Sequence, residues 1–213
     1  MERIELLHTL PQVFQGREPQ SQIWLQDVTF QKGQTYLVEA NSGTGKSSLC
    51  SYIIGYRKDY LGTIRFDGKD IRKNRVSEWT SLRERNLSLL FQELRLFPEL
   101  TAMENVQIKN GLTGHKNRQE IETWFERLGI ADKMSAKVDR MSYGQQQRVA
   151  MIRALVQPFD FLLVDEPISH LDDENSAIMG EIMMEEVRKQ EAGVIVTSIG
   201  KHMSLSYDKT FCL

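Results

Sequence analysis

At 213 residues, with 40% hydrophobic and 26% charged side chains, the chain has the size and balance of one α/β domain that buries a sizeable core. A formal net charge of −2 gives no footing for a polyanionic partner, so no nucleic acid is expected. No run approaches the roughly 18 apolar residues of a membrane span, Met1-Glu2-Arg3-Ile4-Glu5 is no secretory leader, and Cys50 and Cys212 are too few for a disulfide framework. A reducing, cytosolic compartment is expected.

In chain order, Ile23-Trp24-Leu25 and Tyr36-Leu37-Val38 read as short strands. The segment Ala40-Asn41-Ser42-Gly43-Thr44-Gly45-Lys46-Ser47-Ser48 follows the second, and Leu49, Cys50, Ile53 and Ile54 continue as a helical apolar stripe. A strand, a glycine-bearing loop with Lys-Ser, then a helix is the arrangement of a phosphate-binding loop. Its backbone N–H groups and the positive helix end would hold phosphate oxygens. Lys46 would reach β- and γ-phosphate, and the Ser47 hydroxyl would take one Mg²⁺ position. The usual pattern begins with glycine where Ala40 stands, which an alanine tolerates if its φ stays negative. Cys50 lies on the apolar stripe and is expected to be a buried thiol.

Thr63-Ile64-Arg65-Phe66 is a further strand, closed by the turn Asp67-Gly68. Residues 95–145 read as helical. Thr101 and Glu104 form a capping box ahead of a helix ending near Gly111, and Asn117 with Glu120 opens another, striped by Ile121, Trp124, Phe125 and Leu128. Ser142 and Gln145 stand at capping-box spacing before a third helix, which stops ahead of Pro158. Phe161-Leu162-Leu163-Val164 and Val194-Ile195-Val196 are wholly apolar, as strands buried on both faces are. Between them Ile178, Met179, Ile182, Met183 and Val187 stripe one helix face. This alternation predicts an α/β fold of the P-loop NTPase kind, with a mainly parallel sheet and flanking helices. An N-terminal antiparallel β-subdomain and a helical subdomain inserted over 95–145 complete the single domain expected over 1–213.

With these motifs in place, the chain resembles the ATP-binding cassette (ABC) family of nucleotide-binding domains over almost its whole length. Asp165-Glu166 is similar to the end of that family's Walker B strand, which implies Asp165 as a Mg²⁺ ligand and Glu166 as general base. Met141-Ser142-Tyr143-Gly144-Gln145 resembles the signature motif, with Tyr143 in place of a glycine. Ser142, Gly144 and Gln145 would then face the γ-phosphate held by a second protomer. Phe91-Gln92 resembles the Q-loop, implying that Gln92 touches Mg²⁺ or the attacking water. Ser169-His170-Leu171-Asp172 resembles the D-loop, although Asp172 also suits a plain helix cap. Phe14 is the best-placed aromatic to stack on adenine, and serves equally well as a core residue. Where the family carries a histidine after its last buried strand, this chain has Ser198, with His202 four residues on. His8 and His115 sit in ordinary polar contexts and are expected to be solvated.

The resemblance implies an ATPase subunit that binds ATP and Mg²⁺ at a head-to-tail interface, as a homodimer or with a related cassette. It would lie on the inner face of the cell membrane and drive an integral membrane permease subunit. The stretch Leu96-Phe97-Pro98-Glu99-Leu100-Thr101-Ala102-Met103-Glu104-Asn105-Val106 is similar to the branch of lipoprotein-release, macrolide-efflux and cell-division cassettes. Ser198 implies slow turnover that a histidine there would raise. The alternative is an ATP-sensing regulatory module with little or no turnover.

Overall fold

The computed structural model describes residues 1–17, 19–167, 173–200 and 202–213. A four-stranded antiparallel sheet has the order β2-β1-β4-β5, with β1 at Arg3–Pro11, β2 at Asp27–Gln31, β4 at Tyr60–Phe66 and β5 at Lys69–Asp70. Asp67 and Gly68, with φ of 49° and 82°, turn β4 into β5. Two left-handed residues in sequence are what a tight hairpin needs.

The second sheet is parallel throughout its five described strands, in the order β6-β7-β8-β3-β9. Here β3 is Thr35–Glu39, β6 Leu87–Leu90, β7 Phe161–Asp165, β8 Gly193–Ser198 and β9 Lys209–Cys212. Both of its faces are covered. Tyr36, Val38, Leu163 and Ile195 enter one core with β1, β4 and helix α1 (Lys46–Ile53), whereas Leu37, Leu162, Val164 and Val196 enter the other. That second core is closed by α3 (Ala102–Asn110), α4 (Arg118–Arg127), α5 (Tyr143–Leu155) and α6 (Asp173–Lys189), while α2 (Val76–Arg85) lies against β6. Period-2 alternation with two apolar destinations is why these strands carry unbroken apolar runs.

All three capping boxes form. Thr101, Asn117 and Ser142 accept from the N–H groups of Glu104, Glu120 and Gln145, and each of those side chains accepts the cap N–H in return.

The expectation of a strand at Ile23-Trp24-Leu25 is not met. Ser21 Oγ accepts the N–H groups of Ile23 and Trp24 at 3.0 and 2.9 Å, and Leu25 turns left-handed at φ 61°. The segment is a side-chain-capped turn, apolar because Ile23 and Trp24 are buried. A second correction concerns His115. It is packed 3.6 Å from the buried carboxylate of Glu186, which also takes Lys116 at 2.9 Å.

Candidate nucleotide-binding site

β3 delivers the chain to the loop at the C-terminal edge of the parallel sheet, where α/β sheets place ligands. Ala40 donates its N–H to the Ser198 carbonyl at 3.1 Å and keeps out of the left-handed region, so the missing glycine costs nothing in backbone conformation. Gly43 and Gly45 do need the freedom of glycine, at φ 81° and 104°. The first bond of α1 runs from the Leu49 N–H to the Gly45 carbonyl at 2.9 Å. The N–H groups from Gly43 to Ser48 therefore find no acceptor among the described residues. A run of outward N–H groups at a helix N-terminus is an anion-binding concavity.

Phe14, Ser42, Gly43, Gly45, Lys46, Ser47, Ser48, Gln92 and Glu166 line one cavity of about 380 Å³, together with Val13 and Ile199. Lys46 is only 4% exposed; its Nζ donates to the Asn41 carbonyl at 3.0 Å and stands 3.6 Å from Glu166 Oε1. Gln92 Nε2 donates to Glu166 Oε2 at 3.1 Å. Glu166 has φ 51°, a strained backbone at a strand end of the sort found where a side chain must be re-aimed. Its neighbour Asp165 accepts from Thr197 Oγ1 at 2.5 Å. Burial and the nearby Asp165 charge push the Cys50 thiol well up, and the side chain is buried, as expected.

Asn41 and Asp165, which is buried at the end of β7, are not among the residues lining this cavity, and three further sets stand apart from it. Thr44 faces the other side of the loop, into a cavity of about 370 Å³ shared with Phe14, Arg17 and Trp24. Ser142, Gly144 and Gln145 begin α5 and belong to neither cavity, although the Tyr143 hydroxyl donates to the Gln92 carbonyl at 3.1 Å. Ser198 ends β8 with 2% exposure, and the cavity is lined by Ile199 instead. His202 is not among the residues lining the cavity: it lies 3.7 Å from the Glu39 carboxylate and edge-on to Tyr207. The D-loop residues Ser169 to Asp172 lie outside the described residues.

Burial reverses the expectation for Ser198→His. An imidazole forced into a full sheet end is overpacked by about 1–3 kcal/mol. We expect a lower thermal midpoint and no gain in turnover, read by calorimetry and phosphate release.

Sequence reasoning missed Trp24, Val13 and Ile199. Trp24 is the informative omission, because its apolar neighbours hid it inside an apparent strand.

A family profile described as "ABC transporter" matches residues 26–169. The Bacillus subtilis protein named "ABC transporter ATP-binding protein YtrE" is 32% identical over 200 residues, covering 91% of this chain and 86% of that one. A Shewanella "Macrolide export ATP-binding/permease protein MacB" is 31% identical over 86% of this chain and 29% of its own length. Among solved structures, the dimeric cassette MJ0796 superposes with a TM-score of 0.76 at 24% identity, covering 91% of this chain and 87% of that one, which shows the fold. Its post-hydrolysis form with ADP and Pi matches at TM-score 0.73 and 25% identity, covering 92% and 87%. The chain belongs to the ABC transporter family, as one of its ATP-binding cassettes.

Proposed function

We propose that this cassette hydrolyses Mg-ATP and transmits the resulting closure and opening to a membrane permease subunit. The carrying observation is the convergence of Lys46, Gln92 and Glu166 on one cavity floored by the glycine loop. Loop N–H groups and Lys46 would bind the β- and γ-phosphates, and Phe14 would stack on the base. Glu166 would take the proton of the attacking water. It is held by Lys46 and Gln92, so phosphate oxygens competing for the Lys46 ammonium would free its carboxylate.

The donor set fits Mg²⁺. Ser47, Asp165 and Gln92 offer hard oxygen ligands, and no cluster of three or more His, Cys, Asp or Glu ligands occurs among the described residues. Mg²⁺ keeps much of its water and takes other ligands from substrate phosphates, so few protein ligands suffice. It would offset phosphate charge during transfer.

Head-to-tail pairing with a second cassette would bring Ser142, Gly144 and Gln145 to a neighbour's γ-phosphate, and residues 95–145 would act as the inserted helical subdomain. No helix among the described residues is long and apolar enough to cross a membrane, which suits a subunit on the inner membrane face.

A groove of about 250 Å³ beyond Gln92 would seat the permease. Tyr56 and Phe91 stack at 5.9 Å beneath Arg95, with half-exposed Phe97 and Ile108 at the rim. In its wall, burial and the Arg153 charge push Lys109 down to about 8, and burial pushes Arg153 down to about 10. The charged form of Lys109 is thus penalised in the folded protein below pH 8. Between pH 8 and its ordinary 10.5 the folded chain sheds that proton before the unfolded chain does, so stability rises with pH. Lys109→Met lacks this titration. Denaturation at pH 7 and pH 10 should show its stability advantage over the parent shrinking as pH rises.

Steady-state phosphate release from Mg-ATP tests the main reading. Turnover supports it. Bound ATP with no release, even with a membrane partner present, would favour the ATP-sensing module instead.

A further inference from the structure

Trp24 lies outside every motif that marks the nucleotide site, yet it touches the centre of the phosphate loop. Its side chain is 1% exposed, and its indole Nε1–H donates to the Thr44 carbonyl at 2.9 Å. The ring also lies under Gly45. A Cβ built there would stand 3.1 Å from Trp24 Cζ2 and 3.3 Å from Phe14 Cε2.

The Thr44 carbonyl and the Gly45 N–H share one peptide plane, and no cis peptide bond occurs among the described residues. In a trans peptide these two groups point in opposite directions. Drawing the carbonyl towards Trp24 therefore turns the Gly45 N–H the other way, to the side where Gly45 lines the cavity with Lys46 and Ser47. That N–H has no acceptor among the described residues.

The anchor matters because glycine lies on one side of this peptide. Gly45 has φ 104°, in a region where glycine rotates at little cost, so the plane is weakly held by its own backbone. Trp24 is itself fixed. Ser21 Oγ accepts its N–H at 2.9 Å, and the next residue, Leu25, donates its N–H to the Thr9 carbonyl of β1 at 2.9 Å. The antiparallel sheet thereby braces the loop of the parallel sheet through one indole.

We propose that Trp24 is a positioning residue that orients the Thr44–Gly45 peptide so that its N–H meets the β-phosphate of a nucleoside di- or triphosphate. The proposal rests on the nucleotide-binding reading above. A buried indole used only for packing would also find an acceptor, so the test must separate orientation of the peptide from support of the fold.

ADP carries the β-phosphate and AMP does not. Calorimetric affinities for both are compared in the parent protein, in Trp24→Phe, and in protein carrying 3-benzothienylalanine at position 24. That last side chain keeps the ring volume and replaces N–H by sulfur. We expect both substitutions to cut the preference for ADP over AMP about fivefold, the effect of one neutral hydrogen bond. AMP affinity should stay within about twofold. An unchanged preference in the benzothienyl protein, or an equal loss for ADP and AMP, overturns the proposal. If Trp24→Phe fails to fold, the benzothienyl protein alone decides. A parent that binds neither nucleotide overturns the cassette reading itself.

Discussion

Lys46→Ala is expected to abolish measurable ATP binding, lowering affinity by at least about 10³-fold. The ammonium is nearly buried, at 4% exposure, where charge is poorly screened. At an effective dielectric near 20, one unit-charge pair at 4 Å is worth about 4 kcal/mol, close to three decades in affinity. Truncation also leaves the Glu166 carboxylate without its cation 3.6 Å away. That carboxylate would then face incoming phosphates unneutralised, which deepens the loss. Titration with a fluorescent ATP analogue checks the result, with circular dichroism showing that the variant is folded. Unchanged affinity would remove this account of the site.

The second large effect is on chemistry. Glu166→Gln should keep ATP bound, or bind it more tightly, while phosphate release falls by about 10²- to 10⁴-fold. Glutamine keeps the size of the side chain and can still accept from Gln92 Nε2, now 3.1 Å from the carboxylate. What it loses is basicity and a negative charge close to the phosphates. Phosphate release and nucleotide affinity, measured side by side on the parent and the variant, separate the two terms. Equal turnover in both proteins would exclude Glu166 as the base.

The contrast between these residues and Trp24 marks how much of the site was legible in the chain. Lys46, Ser47 and the two glycines act within a few residues of one another, so their spacing carries their geometry. The capping boxes at Thr101, Asn117 and Ser142 are local for the same reason and formed as expected. Apolar runs such as Phe161 to Val164 announced strands covered on both faces. β9 carries one buried apolar residue, Phe211, and finds its place only by pairing with β3. The amphipathic stripe of α4 was readable, whereas α2 buries only Trp79 and left no clear period.

By itself, then, the amino-acid order determined the phosphate loop, the three capped helix starts, the apolar strands at Phe161 and Val194 and the family they compose, because each depends on neighbours within a turn or a pleat. The tertiary structure alone decided that Trp24 grips Thr44 across 20 residues of sequence, that Tyr143 reaches Gln92 across 51, and that Ser198 is shut inside the sheet while Ile199 meets the cavity. Those outcomes depend on where separate elements come to rest, and a contact between distant residues exists only once both sheets have packed against α1 and its loop.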